Sequence, residues 1–159
     1  MVEIVSVDWS NPAHGEAVVD LLDLYARDPM GGGQALPDPV RAGLVPALRD
    51  RTGIHALLAF ADDAAAGLVI CMEGFSTFAC KPLLNIHDLV VVPARRGQGI
   101  ATRLLQACEQ LARTKGCCKL TLEVLEGNTA ARDVYARFGF AAYQLKADLG
   151  RAMFWEKKL

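Results

Sequence analysis

No stretch of this sequence holds the ~20 consecutive apolar residues that a bilayer-spanning helix needs. Met1 to Ser10 carries Glu3 and Asp8 and lacks the basic-then-apolar order of a secretory leader, so no leader is expected. Neither sign of charge prevails: 17 basic and 18 acidic residues leave a net −1. That balance offers no electrostatic footprint for nucleic acid or an anionic membrane, and neither is expected as a partner. Cysteine is unpatterned. The five residues, Cys71, Cys80, Cys108, Cys117 and Cys118, are odd in number and form no CxxC. Adjacent Cys117 and Cys118 would point to opposite faces of a strand and could hardly share a metal. No metal is expected, and the thiols read as buried and reduced, which suits a cytoplasmic protein. The nucleotide P-loop pattern GxxxxGK[ST] is also absent.

What is present suits one globular domain over residues 1–159, with 52% hydrophobic and 22% charged residues. Glu3 to Asp8 alternates as a short strand. Asn11-Pro12 opens a helix that ends before Asp28-Pro29, with Val18, Leu21, Leu22 and Tyr25 at helical spacing. Met30 to Pro39, rich in glycine and proline, reads as a mobile loop. Asp38-Pro39 starts a second helix with Val40, Leu44, Val45 and Leu48 as its apolar face. Ile54–Ala61 and Gly67–Phe78 flank a turn at Asp62-Asp63, and Leu83–Val92 forms a third, very apolar strand. Ile100–Lys115 is amphipathic and stops at Gly116; Lys119–Leu125 is a further strand. Asn128 caps a helix that runs to Phe138 and ends at Gly139, and Ala141–Leu145 with Met153–Lys157 reads as a final antiparallel pair. The order predicts a mixed α/β (α+β) fold: a mostly antiparallel sheet of about seven strands, about four helices, and one parallel βαβ unit from Leu83 to Leu125.

The strongest local signal is Arg95-Arg96-Gly97-Gln98-Gly99-Ile100-Ala101-Thr102, between an apolar strand and an amphipathic helix. Glycines let a ligand approach the backbone, and the amides that open a helix are free to hold an anion. The arginines would add charge attraction. A plain strand-to-helix turn with solvated arginines has the same composition. The dinucleotide fingerprint GxGxxG fails, since Thr102 stands at its third glycine and only one βαβ unit is present.

This turn resembles the Q/R-x-x-G-x-G/A motif of the GCN5-related N-acetyltransferases (GNAT). The agreement extends in order through Val92-Pro93 before the turn, Asn128, Tyr135 seven residues later, and Arg137-Phe138-Gly139-Phe140. It covers Phe75 to Phe140 well and the termini in element order. Asn85-Ile86-His87-Asp88-Leu89-Val90-Val91 looks most like the diamine and polyamine branch, with His87-Asp88 where Glu-Asp is common.

The resemblance implies a GNAT-like fold and an enzyme that moves acetyl from acetyl-CoA to a primary amine, with a small molecule as acceptor. Alternatives are a protein or peptide amine as acceptor, or a non-catalytic acetyl-CoA-binding regulatory module. By match, Arg96, Gly97, Gln98, Gly99, Ile100, Ala101 and Thr102 wrap the pyrophosphate, Leu89, Val90 and Val91 pair with the pantetheine arm, and Asn128 joins the cofactor site. Tyr135 is the candidate general acid for the departing thiolate, since a phenol and a thiol are of similar basicity. His87 is the candidate base; a histidine inside an apolar strand is expected to be buried, which would keep it neutral and able to accept. Asp88 is expected on the opposite strand face. Tyr25, Asp28 and Gly31–Gly33 lie in the family's acceptor-side lid, and Tyr25, Asp28, Asp88 and Glu123 are the candidate substrate-binding residues. His14 and His55 read as structural or exposed. A homodimer is a family habit.

Overall fold

A computed structural model describes residues 1–146 and 148–159. The chain forms two compact units, Met1–Leu122 and Glu123–Leu159.

In the first unit the order is β1 (Val2–Ser6), α1 (Pro12–Arg27), a 3-10 turn at Pro29–Gly31, α2 (Asp38–Arg49), β2 (Ile54–Ala61), β3 (Ala64–Ser76), β4 (Lys81–Val91), a 3-10 turn at Pro93–Arg95, α3 (Ile100–Thr114) and β5 (Leu120–Leu122). The sheet order follows the sequence, β1-β2-β3-β4-β5. The first three pairings are antiparallel; β4 and β5, joined through α3, are parallel.

Local chemistry explains these elements. Asn11 caps α1 by accepting the Ala13 N–H at 3.0 Å, and Pro12 occupies the first turn, where its missing donor costs nothing. Asp62 and Asp63 have φ of 52° and 63° between paired Ala61 and Ala64. These left-handed values are those of a tight hairpin whose twist matches the sheet.

Alternation along β3 builds two cores. Leu68 and Ile70 join Val18 and Leu21 of α1, Leu48 of α2, and Ala56, Leu58 and Val90. Intervening Gly67 and Cys71 face α3. A methyl group on Gly67 would lie 3.1 Å from Ile100 Cγ2 and 3.2 Å from Leu104 Cδ1, and the thiol of Cys71 is 3.5 Å from that of Cys108. The buried face of α3, Ile100, Leu104, Leu105, Cys108 and Ala112, recurs at the helical period.

The stretch predicted as a mobile loop is pinned. Buried Asp23 accepts the Leu36 N–H at 2.8 Å and binds Arg27 and Arg41 at 2.8 and 3.0 Å. Gln34 N–H donates to Ala26 O. In the second helix Leu48 is buried, whereas Val40 is exposed.

In the second unit Asn128 caps α4 (Thr129–Phe138) by accepting the Ala131 N–H, and Gly139 ends it with φ of 105°. The expected final strand pair reduces to one antiparallel bridge, Gln144 to Arg151. The sheet therefore has five strands where about seven were expected. An isolated hairpin is marginal in water. Here Tyr143, Leu145, Met153, Phe154 and Trp155 are exposed, so no buried face stabilises a register. The fifth strand is also shorter than Lys119–Leu125, because pairing with β4 stops at Leu122. Cys117 and Cys118 precede β5 in a loop, their amides donating to Ala112 O and Pro82 O. All five cysteines are free; Cys71 and Cys108 are buried as expected, but Cys80 and Cys118 are exposed.

Packing at Gly67 yields a test of the α3 core. Gly67→Ala, whose Cβ would also sit 3.0 Å from Val90 O, is expected to lose about 1–3 kcal/mol of unfolding free energy. Urea denaturation measures this, and an unchanged midpoint would show that α3 shifts freely from the sheet.

Candidate functional site

β4 carries one residue more than β3 can pair. Cys71 stands opposite Ile86 and Ile70 opposite Asp88, which leaves His87 as a bulge. Opposed to adjacent residues of β3, Ile86 and Asp88 project to opposite faces. Ile86 belongs with Cys71 toward α3, and Asp88 belongs with Ile70 on the face of α1. The bulge thus gives an acidic residue to the α1 side.

Pairing between β4 and β5 ends at Ile86–Leu122, immediately before the bulge. Among the described residues, His87–Val91 has a strand neighbour only on its β3 side. Backbone groups of that edge are open to an extended ligand. Val91 O already accepts from Arg96 Nε at 3.2 Å. Leu89 is half-buried, while Val90 and Val91 are buried, so this edge offers main chain rather than side chains.

The glycine turn follows directly. Gly97 and Gly99 have φ of 76° and 78°, the left-handed region that side chains rarely adopt. At both, the space a Cβ would enter is empty to 4 Å. Gly99 is the N-cap of α3 and supplies no capping side chain, so the opening amides of that 15-residue helix are left for another acceptor. Ile100, 1% exposed, anchors the helix in the core. Its neighbours Ala101 and exposed Thr102 continue the first turn. The arginines are otherwise engaged than the sequence suggested. Arg95 Nη1 binds Asp62 at 3.0 Å, and Arg96 Nη2 binds Asp28 at 3.1 Å. Gln98 Nε2 donates to Ala94 O. The attraction for an anion therefore rests on amides and the helix dipole.

Facing α1, burial, then the charges of Asp88 and Asp28, push the Tyr25 phenol above its ordinary range. Burial likewise pushes the Asp88 carboxyl up, opposed by the charge of His87. Tyr25, Asp28 and Asp88 thus share one electrostatic neighbourhood. The Met30 amide and then Arg96 hold Asp28 below the usual carboxylate range.

His87 is exposed, not buried as its apolar strand suggested, because the bulge removes it from the alternating pattern. His14 and His55 have structural contacts: His14 Nδ1 accepts the Asp8 N–H at 3.0 Å, and His55 Nε2 lies 2.6 Å from Glu73. In the second unit, Tyr135 is half-buried on α4 with its ring against Phe140, Asn128 is the cap already described, and Glu123 is exposed. A groove of about 560 Å³ between α1 and α2, lined by Trp9, Gly15, Val19, Arg41 and Val45 among others, shares no residue with β4 or the turn. Among the described residues no cluster of metal-ligating side chains occurs, and no helix is long and apolar enough to cross a membrane. The Asp28–Arg96 pair was not visible in sequence, since a contact between residues 68 apart leaves no periodic signal.

Comparison with known proteins gives a family match. The model of the acetyltransferase (GNAT) family matches residues 18–140. Thialysine N-epsilon-acetyltransferase of Bos taurus is 39% identical over 56 residues, 35% of this chain and 33% of that protein. N-alpha-acetyltransferase 30 of Schizosaccharomyces pombe is 41% identical over 89 residues, 56% of this chain and 59% of that one. The chain thus spans less than two thirds of the length of these curated relatives. AAC(6')-Iy, solved in complex with the bisubstrate analogue CoA-S-monomethyl-acetylneamine, has a TM-score of 0.76 at 21% identity, covering 100% of this chain and 99% of that one. At that identity the likeness shows a shared fold.

Burial of Asp88 has a consequence for stability. Below the ordinary carboxylate range the group is protonated in both folded and unfolded chains and contributes no pH dependence. Above its raised folded pKa it is ionised in both, and only the folded state bears the cost of desolvation. Asp88→Asn should therefore stabilise the protein more at pH ~7 than at pH ~3, below the free carboxylate value. Thermal unfolding at the two values checks this; an equal effect at both would show Asp88 to be solvated.

Proposed function

From the premise that this chain belongs to the acetyltransferase (GNAT) family, we propose that it transfers acetyl from acetyl-CoA to a primary amine on a small molecule. The carrying observation is the pairing of two empty features in direct succession: a β4 edge without a strand neighbour from His87 to Val91, and a glycine turn opening α3. They fit the two parts of a coenzyme A, an amide-bearing arm and a pyrophosphate. The CoA-containing bisubstrate analogue held by AAC(6')-Iy supports this choice of donor.

The bound thioester would supply the electrophilic acetyl group. In this proposal the amides from Gly97 to Thr102 hold the pyrophosphate, with the dipole of α3 behind them. Leu89 and Val91, whose main-chain groups turn away from β3, orient the arm through hydrogen bonds as a strand orients an added strand, with Val90 between them. Asp88 and Tyr25 offer the amine a carboxyl and a phenol, with Asp28, its charge taken up by Arg96, beside them. His87, exposed at the bulge where the edge opens, takes the proton that the attacking nitrogen must lose, since an imidazole accepts protons near neutral pH. Tyr135 gives its phenolic proton to the departing sulfur, with Asn128 capping the helix that bears it. Glu123 is assigned to the acceptor. One catalytic domain over residues 1–159 is supported by the family match, which runs across both compact units. Free cysteines support a reducing, cytoplasmic setting.

A second reading, a peptide α-amine as acceptor, is favoured by the S. pombe relative, named as an N-alpha-acetyltransferase. The bovine relative, named for thialysine, supports the small-molecule reading and the diamine and polyamine branch. Turnover of acetyl-CoA against a panel of small amines and N-terminal peptides decides between them.

Three results are expected. Gly99→Asp, which sets a side chain and a negative charge in the empty space of the turn, should weaken acetyl-CoA binding at least ~10²-fold in calorimetry. Unchanged affinity in a folded variant would remove the cofactor assignment. In pH–rate profiles, His87→Gln should cut kcat/KM ~10- to 10³-fold at neutral pH and flatten the acidic limb, whereas Tyr135→Phe should lower kcat with an effect that shrinks at high pH. An acidic limb unmoved by His87→Gln would transfer the base to Asp88 or to a bound water.

A further inference from the structure

Arg96 stands in the glycine turn, yet its side chain points its charge elsewhere. Nη2 lies 3.1 Å from Asp28 Oδ2, and Nε donates to Val91 O at 3.2 Å. One guanidinium therefore joins the end of β4 to the segment after α1. Asp28 is the hub of that segment. Its N–H donates to Tyr25 O, its Oδ1 accepts the Met30 N–H, and its carbonyl accepts the N–H groups of Gly31 and Gly33 at 2.8 and 3.1 Å. Gly31 is held so closely that a Cβ there would overlap Tyr25 O. The far end of the same segment is fixed independently by Asp23, through the Leu36 N–H. Breaking the Asp28–Arg96 contact thus detaches the near end, beside Tyr25, from β4 and leaves the far end held.

We infer that Arg96 is a positioning residue for the acceptor amine rather than a ligand of the donor's pyrophosphate: through Asp28 it locks the 28–33 segment and Tyr25 against the end of β4. This rests on the proposed acetyl transfer. The division of labour follows from charge. A guanidinium neutralised by Asp28 has little left for a phosphate, while the amides of the turn need no side chain to bind one. The pair also explains how the acceptor side could register the donor side without a shared ligand, because Arg96 is covalently part of the turn and electrostatically part of the segment after α1.

The test is a double-mutant cycle on the full chain with Asp28→Asn, Arg96→Gln and both. Each single variant should raise the KM for the amine about fivefold, the size of a partly exposed ion pair. The double variant should be no worse than the more impaired single one. The dissociation constant of acetyl-CoA, measured by calorimetry without amine, should change by less than about twofold in all three, since the turn amides are intact. Three results overturn the inference: acetyl-CoA affinity falling in Arg96→Gln but not in Asp28→Asn, which returns Arg96 to the pyrophosphate; additive effects on KM; or an unchanged KM. Hydrogen exchange in the ligand-free protein separates this from the acetyl-transfer reading. The amides of Met30, Gly31 and Gly33 should exchange faster in both single variants whatever reaction the protein performs, and unchanged exchange would refute the lock by itself. Failure of the wild-type chain to bind acetyl-CoA would instead sink the functional reading.

Discussion

Because Ile86 opposes Cys71 while Asp88 opposes Ile70, β4 reverses its faces within two residues, and each part of the site depends on that reversal. Residues before the bulge send Leu84 and Ile86 into the core. Those after it send Val90 toward α1 and α2, and with it Asp88. Pairing with β5 stops at the same place. A bulge bends its strand and sharpens its twist, so a parallel neighbour that follows β4 up to Ile86 cannot follow it beyond. The open edge and the acidic residue on the α1 face are two results of one inserted residue.

The turn depends on a second constraint, the tight seating of α3. Ile100, Leu104, Leu105 and Cys108 are all 0–1% exposed, and Gly67 lets the helix approach β3 closely enough that even a methyl group would crowd it. A helix so anchored sits firmly on the sheet, and the turn that precedes it follows the end of β4. Gly97 and Gly99 then let the backbone turn without side chains over the helix mouth. Core packing thus fixes where the amides point, and glycine leaves room before them.

Charge holds what the core does not. Two carboxylates of α1 and its C-cap, Asp23 and Asp28, fasten the glycine-rich connection to α2 at its two ends. Asp23 is 8% exposed, and it is satisfied by an amide and two arginines. A buried carboxylate without such partners would be costly. The connection has the composition of a loose loop and the hydrogen bonding of a fixed one.

Local chemistry determined a large share of this protein. The Asn11-Pro12 and Asn128 caps, the Asp62-Asp63 turn, the stop at Gly116, the stripe on α3 and the parallel βαβ unit are contacts between near neighbours or simple periods, and a sequence carries those directly. The glycine turn was legible for the same reason, since positive φ is a property of single residues. Pairing between distant residues was not. Nothing in Asn85-Ile86-His87-Asp88 announces a bulge, which exists only in register with Ile70 and Cys71, so His87 read as buried and is exposed. The last two strands read as a pair because their residues alternate, but alternation stabilises a strand only when one face is buried, and here that face is in solvent. Arg96 read as a phosphate ligand from its place in the motif; its contact with Asp28, 68 residues away, was set by where β4 ends and α1 stops, which only the packing of the sheet against both sets of helices decides.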